Sequence, residues 1–232
     1  MKSFNDIKYK ELNEGLYDPN IFKAFFLAGG PGSGKTFVTR SAFGGTGLRM
    51  INSDNAFEIA LKKNNLSLKM PDSESEARDM VRARAKATTS GIMDLSIAGR
   101  LGMIVDGTGR DYDKIKSQVA ELRQLGYDCY MIFVNTSLDV AQERNTQRAR
   151  SLPTDMVKTM WKEVQDNIMK FQQGFGASNF HIVDNSGGLE DPARKENFDQ
   201  VYRTIQKFIN TPPSKRQAKA WIKNAQQAKT QG

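Results

Sequence analysis

The run GGPGSGKT, Gly29 to Thr36, sets one amine and one hydroxyl at fixed offsets behind four glycines. Its spacing is G-x-x-x-x-G-K-[ST], with Gly29 and Gly34 as the two fixed glycines. Gly29, Gly30, Gly32 and Gly34, interspersed with Pro31 and Ser33, let the backbone curl until successive N–H groups point inward at an oxyanion. A helix beginning near Lys35 adds its partially positive N-terminus. The Lys35 ammonium can then reach the β- and γ-phosphates of a nucleoside triphosphate, and the Thr36 hydroxyl can ligate Mg²⁺. Phe37, not a second threonine, follows. A chance glycine-rich turn is the bland alternative, but it requires neither the apolar run FKAFFLA before it nor the helical stretch after it, and both are present.

Two carboxylates and a group of arginines complete the chemistry. Asp106 ends the apolar run GMIVD, where a carboxylate can hold Mg²⁺ directly or through water. Gly107 follows it; a glutamate poised to activate water is missing there, and no Asn-Lys-x-Asp guanine motif is present. An acceptor hydroxyl therefore fits better than water, and ATP better than GTP. Asp54, in MINSDNAF, stands just past a second strand, where ligands bind in open α/β sheets. Two readings compete for it: a base that takes the acceptor's proton, or a helix cap, since Ser53, Asp54 or Asn55 would each cap the helix that follows. In QERNTQRARSLPTDM, Arg144 and Arg148 share a face if the segment is helical. Arg150 points elsewhere unless Pro153 has loosened the helix. Glu143 is the only acid between Val140 and Leu152, so a solvated, salt-bridged helix is the poorer reading and a phosphate clamp the better one for Arg148. For Arg144 and Arg150 the two stay closer.

These groups must be positioned by alternating strands and helices. Strands are expected at Phe22–Ala28, Leu48–Asn52, Gly102–Asp106, Cys129–Val134 and Asn179–Val183. Helical periodicity marks Ser73–Arg100, opened by a Ser73-x-x-Glu76 capping box, and also Tyr112–Leu125, Thr154–Phe171 and Asp191–Asn210. The alternation implies parallel βαβ units. Expected boundaries are an N-terminal extension (1–20), a nucleotide-binding domain (21–210) and a basic tail (211–232).

The 232 residues carry a net charge of +8 and 38% hydrophobic residues. Lys215, Arg216, Lys219, Lys223 and Lys229, with no acid after Thr211, account for five of those charges and leave +3 on the rest. A nucleic-acid reading from bulk charge thus leans on the tail. KRQAKAWIKNAQQAK reads either as a helix anchored by Trp221 and Ile222 or as a frayed terminus. The single cysteine, Cys129, excludes an intrachain disulfide. No apolar run reaches the roughly 20 residues that span a bilayer, and the polar N-terminus does not resemble a secretory signal. A cytoplasmic protein without a membrane partner is expected; nothing points to an oligomeric state.

INSDNAF, IVDGTGRDYDKI and ERNTQRARSLPTDMVKTMWKEV together resemble segments of the P-loop kinases grouped around phage-type polynucleotide kinase and the zeta-toxin family. Arg110 is closer to the zeta-toxin version. The resemblance runs from Phe22 to about Asn185 and is looser between Asn55 and Arg100. It implies a three-layer α/β fold with five parallel strands in the order 2-3-1-4-5 and helices on both faces. It further implies ATP and Mg²⁺ bound by Lys35 and Thr36, Asp54 as general base, Arg148 stabilising the transferring phosphoryl group with help from Arg144, and Asp106 organising the site near the metal. No Asp-x-Asp-Gly-Thr phosphatase signature is present, so a stand-alone kinase module is expected. The acceptor would be a hydroxyl of a nucleic acid or nucleotide, a modified-base hydroxyl in DNA included. A UDP-amino sugar is the zeta-toxin-like alternative, and a non-catalytic switch or ATPase the alternative of another class. Arg78, Arg82, Arg84 and Lys86 offer themselves for a substrate phosphate, although Glu74, Glu76 and Asp79 can pair with them. Asn185 is the candidate contact to adenine, and His181 reads as structural.

Overall fold

The computed structural model describes residues 12–148, 151–187 and 192–230. Its centre is β1 (Lys23–Ala28), whose residues are all buried. Around it run β2 (Arg49–Ile51), β3 (Met103–Asp106), β4 (Asp128–Asn135) and β5 (Phe180–Asp184), all parallel, in the order β2-β3-β1-β4-β5. A parallel sheet is covered on both faces, which is why β1 and β4 read as unbroken apolar runs without alternation.

Side chains alternating along β1 divide the core. Ala24, Phe26 and Ala28 face one layer, built from α4 (Tyr112–Gln124), α6 (Thr154–Gln165), α7 (Ile168–Phe175) and α9 (Arg216–Thr230). Phe25 and Leu27 face the other, built from α1 (Lys35–Phe43) and α8 (Pro192–Asn210). Beyond the β2 edge, α2 (Ser53–Lys63) and α3 (Ser75–Ala98) bury Phe57, Leu61, Val81 and Ala85 in a small core of their own. The remaining helix, α5 (Leu138–Thr146), follows β4. Every strand of the sheet ends at the same edge, so the segments that leave β1, β2, β3 and β4 for their helices start there.

Three expectations need correction. Glu74, not Ser73, precedes α3, and no side chain caps it; the Glu74 carboxylate instead accepts from the Ser67 N–H. The expected helix Thr154–Phe171 is two helices. The buried Asn167 between them donates to the carbonyls of Gly109 and Arg110, which fixes the break. Arg148 also lies beyond the end of α5 and does not share a helical face with Arg144.

The basic tail is a helix docked on the body. Ala218 is fully buried, Trp221 meets the Phe22 ring edge-on at 5.6 Å, and Ile222 packs beside it. The linker before α9 is held by Asp128, which accepts from the Ser214 N–H at 2.9 Å, the Ser214 hydroxyl at 2.5 Å and Lys23 Nζ at 3.0 Å. Burial opposes ionisation of Asp128, but Ser214 and Lys23 together hold its carboxyl below the usual range. On the N-terminal side, Asp18 accepts from the Gly102 N–H, tying the segment before β1 to the entry of β3. Cys129 is a buried free thiol whose pKa burial pushes up to about 12. Among the described residues no helix is long and apolar enough to cross a membrane.

Candidate active site

β1 delivers the chain into the glycine-rich turn, and the turn is packed too tightly to hold larger residues. Gly29 has φ +152°, and a Cβ there would lie 2.6 Å from the Val134 carbonyl oxygen. Gly32, at φ +73°, would set a Cβ 2.4 Å from the Ala141 carbonyl oxygen. α1 then starts at Lys35 behind Gly34, with no side chain capping its N-terminus. Its first N–H groups are thus left for an anion. Lys35 reaches back across the turn, and its Nζ donates to the Gly29 carbonyl at 2.5 Å. Burial pushes the Lys35 pKa below the ordinary range. The charge of Asp106 acts against that shift, Arg148 adds to it, and Asp54 again opposes it. The three charges singled out by sequence therefore all act on one ammonium.

β2 and β3 supply the carboxylates. The parallel register pairs Ile51 with Val105, which brings Asn52 level with Asp106. Asn52, which sequence reasoning passed over, caps α2: its Oδ1 accepts from the backbone N–H groups of Asp54 and Asn55. Its Nδ2 donates to Asp106 Oδ2 at 2.6 Å. The visible signal was an Asn directly before a helix, a favoured N-cap. With Asn52 in that role, the Asp54 carboxylate is not used as the cap. It stays 64% exposed in the first turn of α2, 3.7 Å from Arg82 of α3, whose guanidinium lies over the Phe57 ring at 4.8 Å. Burial pushes the Asp106 pKa above the usual range; Lys35 and the Asn52 hydrogen bond oppose this, and Asp54 adds to it.

Among the described residues the Asp106 Oδ1 is buried without a hydrogen-bond partner. An orphaned carboxylate oxygen beside a phosphate cradle, with the exposed Thr36 hydroxyl at the start of α1, matches Mg²⁺, which takes one or two protein oxygens and fills its octahedron with waters and substrate phosphates. Among the described residues no group of three His, Cys, Asp or Glu side chains forms a dedicated cage. The residues present fit Mg²⁺ carried in with a nucleotide.

The arginine segment is held by Asn145. Its Nδ2 donates to the Leu152 carbonyl and its Oδ1 accepts from the Leu152 N–H, closing a turn from which the exposed Arg148 projects. Arg144 is occupied with backbone: it donates to the carbonyls of Asn185 at 2.9 Å, Gly187 at 3.3 Å and Gly32 at 3.5 Å, joining the cradle to the turn after β5. Arg150 lies outside the described residues. Asn185 is fully buried, and its Nδ2 donates to the Ser33 carbonyl at 2.7 Å, so its side chain is turned into the cradle wall. Arg78 donates to the Met70 carbonyl, and Arg110 pairs with Glu163. His181 sits half-buried in β5 with its pKa lowered by burial.

The model of the AAA domain family matches residues 25–170. The chain belongs to that family. Among solved structures, this AAA domain protein is similar to a putative kinase from Chloroflexus aurantiacus J-10-fl, at 16% identity and a TM-score of 0.56, over 80% of this chain and 97% of that one. It is also similar to the AvrRxo1-ORF1:AvrRxo1-ORF2 complex with sulphate ions (10% identity, TM-score 0.55, 95% of this chain and 88% of that one). The same pair with ATP gives 12% identity and a TM-score of 0.54, over 94% of this chain and 88% of that one. At these identities the likeness is one of fold: a five-stranded parallel sheet flanked by helices. No curated protein matches the chain.

Proposed function

We propose that this AAA domain protein is an ATP-dependent phosphotransferase that passes the γ-phosphate to a hydroxyl of a nucleic acid or nucleotide, in the manner of the polynucleotide kinases. The observation that carries this reading is the release of Asp54 from capping by Asn52, which leaves an exposed carboxylate at the cradle, held from outside by Arg82 of α3. A nucleotide switch has no use for it; a kinase needs a proton acceptor there.

In this reading the α1 N-terminus and Lys35 hold the β- and γ-phosphates. Mg²⁺, held by Thr36 and Asp106, would neutralise charge on the phosphate oxygens. Asp54 takes the proton from the acceptor hydroxyl as its oxygen bonds to the γ-phosphorus and the bond to the β–γ bridging oxygen breaks, leaving ADP. Arg148 offsets the negative charge on the equatorial oxygens. Arg144 supports this from behind, by keeping the cradle joined to the turn after β5. This reading places the protein in the cytoplasm, where ATP and Mg²⁺ are supplied.

The test is transfer of label from γ-labelled ATP to 5′-hydroxyl oligonucleotides, DNA bearing hydroxylated bases, nucleosides and UDP-sugars, with Asp54→Ala as control. Label on an oligonucleotide or nucleoside that disappears in Asp54→Ala is the expected result. Label on the UDP-sugar alone would move the acceptor to an amino sugar. Hydrolysis with no labelled acceptor, unchanged in Asp54→Ala, would refute the kinase reading.

A further inference from the structure

Asn52 stands in extended conformation at the end of β2, and each arm of its amide is matched. The acceptor arm meets the N–H groups of Asp54 and Asn55, both at 2.9 Å, and the donor arm meets Asp106 Oδ2 at 2.6 Å. Turning the amide over would face two acceptors at Asp106 and donors at the helix, so its orientation is set by its surroundings. The contact with Asp106 joins positions 54 residues apart and leaves Oδ1 as the unpartnered oxygen of that carboxylate.

We infer that Asn52 is a positioning residue that selects which Asp106 oxygen is offered to Mg²⁺ and fixes that oxygen relative to Asp54. One side chain holds both the strand end carrying the metal carboxylate and the helix turn carrying the base. Without the donor arm, Asp106 is free to rotate and α2 to shift along the sheet edge. Groups that orient a metal ligand affect affinity by about 10–100-fold, and a displacement of about 1 Å at a reacting group can cost about 10²-fold in rate. The kinetic part of this inference rests on the proposed phosphotransfer; the metal part does not.

Asn52→Ser separates the two duties. Serine is as good an N-cap as asparagine, but it is one atom shorter and has no amide to reach Asp106. Asn52→Thr likewise keeps a capping hydroxyl and loses the donor without adding a charge beside Asp106, and it serves as a second variant should the first fold poorly. Both are compared with wild type in melting temperature, in affinity for a non-hydrolysable ATP analogue without metal, in calorimetric Mg²⁺ affinity with that analogue bound, and in kcat and KM. Expected are unchanged metal-free analogue binding and near-wild-type melting. Mg²⁺ affinity should weaken by about 10–100-fold, with kcat falling alongside and KM for ATP little moved. Asn52→Ser or Asn52→Thr with Mg²⁺ affinity within about twofold of wild type would reduce Asn52 to a helix cap and overturn the inference. If wild type phosphorylates no acceptor, the kinase reading fails, while the calorimetric comparison still decides the role of Asn52.

Discussion

Arg148→Ala should remove catalysis while sparing nearly everything else. The Arg148 side chain is exposed, and its backbone N–H closes onto the Asn145 carbonyl, a bond any residue can make. The turn is held by Asn145 and Leu152, so truncation at 148 leaves it intact, and exposed substitutions of this kind change stability by no more than about 0.5 kcal/mol. An arginine supplied in cis to a transferring phosphoryl group is worth about 10³–10⁵ in kcat. Taking the lower end for a side chain that stands in solvent before substrate arrives, kcat should fall about 10³-fold, or about 4 kcal/mol at 1.4 kcal/mol per decade. KM for ATP should change by less than about fivefold, because Lys35 and the α1 N-terminus carry the ground-state contacts. Arg148→Lys keeps a charge but not the planar fork and should recover only part of the loss. Single-turnover transfer of labelled phosphate, alongside a melting curve, measures both quantities. Two results would refute this account: kcat within about threefold of wild type, or a rise in KM that accounts for the whole loss in kcat/KM.

Asp54→Asn should lower phosphate transfer by about 10²–10⁴-fold in a steady-state assay, with metal-free ATP affinity by calorimetry unchanged. Lys35→Met should abolish nucleotide binding, read by fluorescence of a labelled ATP analogue, because the ammonium that crosses the cradle is lost. Asp128 sets an acid limit on stability. Its folded pKa lies below the unfolded value of about 3.9, so its contribution is complete above that value and drains away as pH falls through the folded pKa. Denaturant unfolding between pH 7 and pH 3 should therefore show a shallower acid loss for Asp128→Asn than for wild type. At neutral pH that variant should be less stable by about 3 kcal/mol, since it leaves the Lys23 ammonium, 2% exposed, without its counter-charge.

The cradle was legible because its chemistry is contiguous: the glycines, Lys35 and Thr36 act where they stand in the chain, and only glycine fits at Gly29 and Gly32. The strands were legible to within one or two residues because both sheet faces are buried, and the order 2-3-1-4-5 followed from the resemblance and is the order found. What stayed hidden depends on groups far apart in sequence. Asn52 acquires its second duty only when β2 and β3 come into register. Arg148 leaves the helix because the Asn145 side chain captures Leu152 before another turn can form, which spacing alone does not reveal. Arg144 has the right charge and position for a clamp, yet the three carbonyls that take its donors belong to two turns brought together by β1 and β5.

The placement of α9 changes what the tail's charge can mean. Its inner stripe, Ala218, Trp221, Ile222 and Ala225, follows i, i+3, i+4, i+7, and Trp221 seats on Phe22 at the entry of β1. Its outer face carries Arg216, Lys219 and Lys223, with Lys215 just before its start, all exposed. Phe22 and the cradle lie at opposite ends of β1, which at about 3.3 Å per residue sets α9 roughly 20 Å from Gly29. That exceeds the Debye length of about 8 Å at physiological salt, so these charges neither tune Asp54 nor bind a mononucleotide in the site. They can favour only an acceptor long enough to lie along the body from one sheet edge to the other. A tail that aids catalysis is thus a statement about acceptor length: Lys219→Glu with Lys223→Glu should raise KM for long oligonucleotides in a salt-dependent way and leave a nucleoside acceptor untouched. Equal effects on both acceptors would mean that the double substitution acts through the packing of Trp221 and not through charge.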